Sequence, residues 1–420
     1  MKNSLKIVLL LILSITLFSC SPSVKKKEIS AKDILGNSEY LAISYGGYRE
    51  NTRDIQPTIE ELKEDMKILN AMGIKVLRTY NTKLKQASNL LETISQLKKE
   101  DANFEMYVML GVWIDCENAW TDSPNHTTED VVANTSEIER AIAMTNKYPD
   151  IVKVIAVGNE AMVHWASSYY VSPTVILKWV NHLQDLKKSK KLPADLWITS
   201  SDNFASWGGG DDSYHIEDLT KLLNAVDYIS LHTYPFHSTH YDSNYWKVPE
   251  NEENLTVVEK ADAAMLRAKS YAINEYESAA KYIKSVGVSK PIHIGETGWA
   301  TIAGTTHYGS TGSGAADEYK EKLFHDYMRA WTNSVGMSCF YFEAFDENWK
   351  DAQNPLGSEN HFGLISIDGK AKYALWDLVD KGVFKGLTRN GYKISKSYNG
   401  DKEALLKDVL EIPISNKLEE

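Results

Sequence analysis

The feature that most constrains this chain is a regular alternation of short apolar, β-rich runs with amphipathic segments, repeated about eight times. The runs are YLAISYG, GIKVLRTY, FEMYVMLGVW, IVKVIAVGNE, LWITSSD, VDYISLHTY, PIHIGE and MSCFYFEAF. Between them lie helical patterns such as TIEELKEDMKILNAMG, SEIERAIAMTNKYP, SPTVILKWVNHLQDLKKSKK and DEYKEKLFHDYMRAWTNSVG. That order, with no obvious linker, is what a (β/α)8 TIM barrel requires, a single α/β domain of typically ~250 residues that grows by insertion. A doubly wound open sheet is the rival. It has fewer units and usually a glycine-rich phosphate turn after its first strand, which SYGGYRE does not supply in the expected spacing.

Connection lengths favour the barrel. Helix-to-strand links turn within a few residues, as from Asn70 to Gly73, Lys147 to Asp150 and Asn333 to Gly336. Strand-to-helix links are long and polar: IDCENAWTDSPNHTTEDVVANT, NFASWGGGDDSYH, PFHSTHYDSNYWKVPENEEN and ATIAGTTHYGSTGSG. Long loops on one face and tight turns on the other place the working surface at the C-terminal rim.

Composition bounds the chemistry. The chain has 420 residues, 43% hydrophobic and 25% charged, enough for one large core. A net charge of -11 argues against nucleic acid, whose phosphates call for clustered Lys and Arg, and leaves an uncharged polymer as a possible partner. A monomer is expected. The N-terminus, MKNSLKIVLLLILSITLFSC, has Lys2 and Lys6 ahead of an apolar stretch too short for a comfortable membrane span. Residues 1–19 read as a lipoprotein export signal that leaves Cys20 as the lipidated first residue. Residues 20–36, polar and lysine-rich at first, read as a tether, and Ser21 fits sorting to an outer membrane on either of its sides. The catalytic barrel is expected over 37–385 and a C-terminal extension without chemical motif over 386–420, packed on the barrel or partly disordered. The remaining Cys116 and Cys339 are expected to be unpaired, partly buried thiols.

Two acids stand at the ends of apolar runs. Glu160 closes the fourth, in AVGNEAMVHW, and Glu296 the seventh, in KPIHIGETGWA. Both therefore reach the same rim, across the barrel mouth from each other. Side-chain alternation puts Glu160 on one face with Gly158, Ala156 and Val154, and turns Asn159 away unless the strand end is irregular. Facing carboxylates suit glycosidic cleavage, one protonating the leaving oxygen and the other supporting the oxocarbenium-like centre; at ~5 Å separation the second is a nucleophile. Proximity and burial raise the pKa of the donor while its partner stays ionised.

The motifs VGNE and GETGW, with RTYNT, SLHTYPF, FYFEAFDENWK and ENHFGL, resemble glycoside hydrolase family 17, whose members cleave or rearrange β-1,3-glucans. The likeness runs from about Tyr40 to about Asp380. It implies a retaining mechanism with Glu160 as acid/base and Glu296 as nucleophile, no cofactor, and substrate contacts from Tyr45, Tyr80, Asn159, Tyr234, Trp299, Glu347 and Lys350. Glu343 and Asp346 stand where many plant members carry a small residue and an Asn, so the last strand is similar to the fungal and bacterial branch, which includes transglycosylases. A non-catalytic glycan-binding lipoprotein is the third reading, disfavoured by the presence of both glutamates.

Other residues weigh less. His232, His237 and His240 match no helical metalloenzyme spacing, and Pro235 among them favours a loop, so no metal is expected. Alternation points His293 away from the catalytic side. Trp113, Trp120, Trp165, Trp207, Trp246, Trp299 and Trp349 fall at or after strand ends, where indoles can stack on sugar rings. Trp299, three residues past Glu296, is the one expected to do so.

Overall fold

The structure is a computed structural model that describes residues 29–304 and 312–415. The export signal and Cys20 lie outside the described residues, as do the first residues of the tether. Among the described residues no helix is long and apolar enough to cross a membrane.

Eight parallel strands close a barrel: β1 Leu41–Ser44, β2 Ile74–Arg78, β3 Tyr107–Val112, β4 Val152–Asn159, β5 Trp197–Asn203, β6 Ile229–His232, β7 Ile292–Gly298 and β8 Cys339–Phe342. Each is one of the runs read from the sequence. Helices α1 Ile59–Ala71, α2 Lys85–Glu100, α3 Val131–Lys147, α4 Pro173–Lys188, α5 Glu217–Ala225, α6 Val257–Ser285, α7 Glu318–Ser334 and the short α8 Trp376–Asp380 each follow the strand of the same number. Their starts are written in the sequence. Thr58 and Glu61 form a capping box before α1, as do Thr256 and Glu259 before α6.

Alternation divides the strands between two apolar layers. Ile43, Leu77, Val108, Leu110, Ile155, Ile198, Leu231 and Ile294 pack outward against the helices, and Ala42, Val76, Met109, Val154, Ala156, Tyr228 and Phe340 fill the barrel.

The lower mouth of that interior is stoppered by the chain's own start. Ala31–Ile34 forms a helical turn, and Ala31, Ile34 and Leu35 are buried with Ala42, Val76, Val154 and Phe340. The tether expected to reach residue 36 is thus shorter, because these apolar side chains cover surface that water would otherwise reach. Cys116 and Cys339 are free and fully buried rather than partly so.

The C-terminal stretch also packs on the barrel. Leu405 and Ile412 are buried, and Ile414 pairs with Val248. Arg389 enters beside α1, where Asp65 accepts from its Nε at 2.9 Å, from Arg49 Nη2 at 3.0 Å and from the Tyr45 hydroxyl at 2.9 Å. Asp65 and Arg389 are fully buried. Removing the shared anion leaves two cations buried without it. Asp65→Ala is therefore expected to cost roughly 3–5 kcal/mol of stability, checked by chemical denaturation.

Candidate active site

Two broken alternations build the site. In β4 the pairing with β5 shifts register between Ala156 and Asn159, and Gly158 sits at φ +85°. A Cβ on Gly158 would lie 2.8 Å from Ala161 Cβ and 3.1 Å from Ile176 Cδ1, on the helix side. Gly158 does not share the inner face with Val154 and Ala156, as alternation predicts; the bulge turns it outward and spends the extra residue there. Asn159 and Glu160 consequently both reach the rim. Glu160 holds φ +46°, a conformation costly for a side-chain-bearing residue, with its N–H donating to Ser201 O at 3.0 Å.

A second shift, between Leu231 and His232 opposite β7, does the same for Glu296. Gly295 allows it: a Cβ there would stand 2.0 Å from Ser230 Oγ. The irregularity corrects the reading of His293. That ring lies inward, against Tyr228, and accepts from Ser338 N at 3.1 Å, low in the barrel and below the rim.

Glu296 is held as an anion. Arg78, at the end of β2 and almost wholly buried, bonds its Oε2 through Nη1 and reaches Asn159 Oδ1 through Nη2 at 2.5 Å. Tyr80 donates to Oε2 at 3.0 Å and Tyr234 to Oε1 at 2.6 Å. Burial alone would raise this carboxyl, but the Arg78 cation and the tyrosine bond draw it down to about 2.

Glu160 has the opposite surroundings. Its Oε1 lies 3.1 Å from His232 Nδ1, and His232 Nε2 lies 2.7 Å from Ser201 Oγ, itself 2.8 Å from Ser230 Oγ. Burial pushes His232 down to about 4, so near neutrality the ring is uncharged. Burial, then the negative charge of Glu296, push Glu160 up to about 8 despite Arg78. Close behind, Asp202 accepts from Met162 N at 2.8 Å, and burial above all raises it to about 7. One glutamate is thus a standing proton donor and the other a standing carboxylate.

The remaining expected contacts divide. Tyr45, Tyr80, Asn159, Glu347 and Lys350 line one cavity of about 900 Å3 that also contains Glu296. Tyr45 offers it no free hydroxyl, since that group serves Asp65. Glu347 accepts from Tyr48 N and Trp349 Nε1, both at 2.9 Å, and Lys350 pairs with Glu343 while lying 3.9 Å from the centre of the Phe342 ring. Trp299 is not in the site. It is fully buried against Phe236, Trp246 and Phe324 and donates to Ala315 O at 2.8 Å, because β7 ends at Gly298 and the next residue faces the outer layer. Trp207 and Trp246 are core as well, Trp165 is exposed, and Trp113, Trp120 and Trp349 line the cavity.

Sequence reasoning passed over Arg78 and His232 as site residues. Both carry the signal that singled out Glu160, an ionisable residue closing an apolar run, in IKVLR and ISLH. Pro235 does not open a loop but starts the short helix Pro235–Tyr241, where its missing N–H costs nothing. Among the described residues no group of His, Cys, Asp and Glu is arranged to hold a metal.

Comparisons with known proteins follow this geometry. The family described as the BtgE/BtgC glycoside hydrolase domain matches residues 42–363. A solved endo-laminarinase from Formosa is 64% identical, covers 93% of this chain and 100% of its own, and superposes with a TM-score of 0.90. A putative glucan endo-1,3-beta-glucosidase of Aspergillus niger is 26% identical over 320 residues; the match takes in 74% of this chain but only 39% of that relative. A glucan 1,3-beta-glucosidase of Arthroderma benhamiae is 25% identical over 323 residues, 83% of its length. The glycoside hydrolase family 17 β-1,3-glucanosyltransferase of Rhizomucor miehei, at 17% identity and a TM-score of 0.56, shares the fold.

The protonation pattern is directly measurable. Carboxyl carbon NMR is expected to show a side chain titrating near pH 8, protonated below and ionised above, that vanishes in Glu160→Gln. Arg78→Met removes the cation nearest Glu296 and is expected to move that carboxyl upward.

Proposed function

We propose that this chain, which belongs to the BtgE/BtgC glycoside hydrolase family, cleaves internal β-1,3-glucosidic bonds of laminarin-like β-glucan with retention at the anomeric carbon. The observation that carries the reading is the unequal setting of two glutamates at one rim. Glu296 is bonded by Arg78, Tyr80 and Tyr234, whereas Glu160 lies against an uncharged histidine. The 64% identity to an endo-laminarinase along nearly the whole chain supports the substrate and the internal mode of cutting.

In the first step Glu296 forms a bond to the anomeric carbon as the bond to the leaving oxygen breaks. Glu160 gives its proton to that oxygen. In the second, Glu160, now ionised, takes a proton from water as the water oxygen attacks the same carbon and frees Glu296. Asn159, fixed by Arg78, is placed to bond the sugar 2-hydroxyl. Arg78 holds the nucleophile ionised and aimed without being consumed. As the Glu296 carboxylate becomes an ester, Glu160 becomes ionised, so the net charge of the pair is unchanged.

We also infer that the enzyme is held at an outer membrane through lipid on Cys20; support comes from the sequence MKNSLKIVLLLILSITLFSC and from Ser21 that follows it. Cys20→Ser is expected to move the protein from the membrane fraction to the soluble one.

A product time course on laminari-oligosaccharides of defined length tests the activity. Shorter products of mixed size are expected from wild type and none from Glu296→Ala; products longer than the substrate would make the protein a transferase. Glu160→Ala is expected to lose about 10²–10⁴-fold on glucan. It should lose far less on aryl glycosides with a good leaving group, which need little acid help; equal loss on both would count against the acid role.

A further inference from the structure

The cavity that contains Glu296 ends, on the β3 side, in an aromatic stack. Trp120 lies against Tyr169 with ring centres 4.9 Å apart and planes 19° apart, and Trp113 lies 6.3 Å from Trp120 and 5.1 Å from Tyr169. Both indole N–H groups donate to the same oxygen, Asp115 Oδ1, at 2.8 Å from Trp113 and 3.1 Å from Trp120. Their polar edges are therefore occupied, and what they offer the cavity is ring face. Trp113, Asp115 and Trp120 line the cavity together with Asn159 and Glu296.

The loop beneath is fixed from α3. Glu137 accepts from Trp113 N at 3.2 Å and from Thr82 N at 2.8 Å, while Asn134 accepts from Asp115 N and donates to Asp115 O, each at 3.0 Å. Trp120 N donates to Ser168 O at 2.8 Å. Yet Trp120 itself is held at φ +64°, in the left-handed region that a bulky residue adopts at a cost, and remains 61% exposed. A stack serving only to join two loops has no need of a strained backbone that keeps its largest ring in water.

We propose that Trp120 and Trp113, clamped by Asp115, form a subsite at the end of the cleft that stacks a glucosyl ring of the β-1,3-glucan chain away from the bond being cut. This rests on the functional reading above. Pyranose rings present apolar C–H faces that pack on indole, and the Asp115 carboxylate retains acceptor capacity for their hydroxyls. A ring in this subsite adds affinity to long chains and nothing to short ones, so the stack sets a chain-length preference.

The test compares wild type, Trp120→Ala, Trp120→Phe and, as a control, Tyr392→Ala, which removes an exposed aromatic of the C-terminal extension. Two quantities are read: the ratio of kcat/KM on laminariheptaose to that on laminaritriose, and the Kd for laminariheptaose in a Glu296→Gln background. In Trp120→Ala the ratio is expected to fall and the Kd to rise by roughly threefold to tenfold. Trp120→Phe should restore part of both, and the control should match wild type. Unchanged ratio and Kd in Trp120→Ala, with wild type cleaving, would overturn the subsite and leave the activity standing. A wild type that cleaves neither sugar, with heptaose binding weakened by Trp120→Ala, would overturn the activity and leave the binding site.

Discussion

The site depends on one buried cation. Arg78 is almost wholly out of water, and a guanidinium in that position is tolerated only against an anion with good bonding geometry. Glu296 supplies it. Once that pair is made, the mouth of the barrel has room for no further uncompensated charge. His232 is uncharged there, and ionising Glu160 as well would set a second negative group beside Glu296 with a single cation between them. The proton on Glu160 is thus kept by burial first and by the charge of Glu296 second. The same guanidinium orients Asn159, so Glu296 and the amide beside it answer to one side chain from β2.

Geometry had to be bent to bring these groups together. A regular strand shows alternate residues to the interior, so consecutive Asn159 and Glu160 could not both face the mouth. The bulge at Gly158 absorbs the conflict, and the shift at Gly295 does the equivalent for Glu296. Both breaks use glycine because a Cβ would strike neighbouring atoms, Ala161 Cβ in one case and Ser230 Oγ in the other. The left-handed Glu160 that follows is tolerated because its N–H stays in the ladder through Ser201.

This explains what was legible in the sequence. Strand order and the contrast between tight and long links follow from local patterning, which is why all the strand runs and the shared rim of Glu160 and Glu296 could be read directly. Assignments that needed strict alternation failed where the strands bulge, at Gly158 and His293. Trp299 failed for a different reason: whether the chain after β7 turns in or out depends on Phe236, Trp246 and Phe324, which come from distant segments. Tyr45 was placed at the site, but its hydroxyl answers to Asp65, which also serves Arg389 from the far end of the chain. Arg78 closes the apolar run IKVLR. Only the closed barrel shows that it points into the interior.

The acidic composition acquires a second meaning in the rim. Several loops above the barrel are tied down by buried or nearly buried carboxylates accepting backbone N–H groups: Glu347 from Tyr48, Glu137 from Thr82 and Trp113, Asp202 from Met162 and Asp346 from Gly363. Such bonds are stronger than neutral ones and specify loop conformation without a large apolar contact, which a solvated groove cannot provide. They also leave the groove formed before any sugar arrives, so less ordering is left for binding to offset. The cost is negative charge near the catalytic pair. For Glu160 that cost is useful, because nearby acids such as Glu359 add to the upward push on its proton.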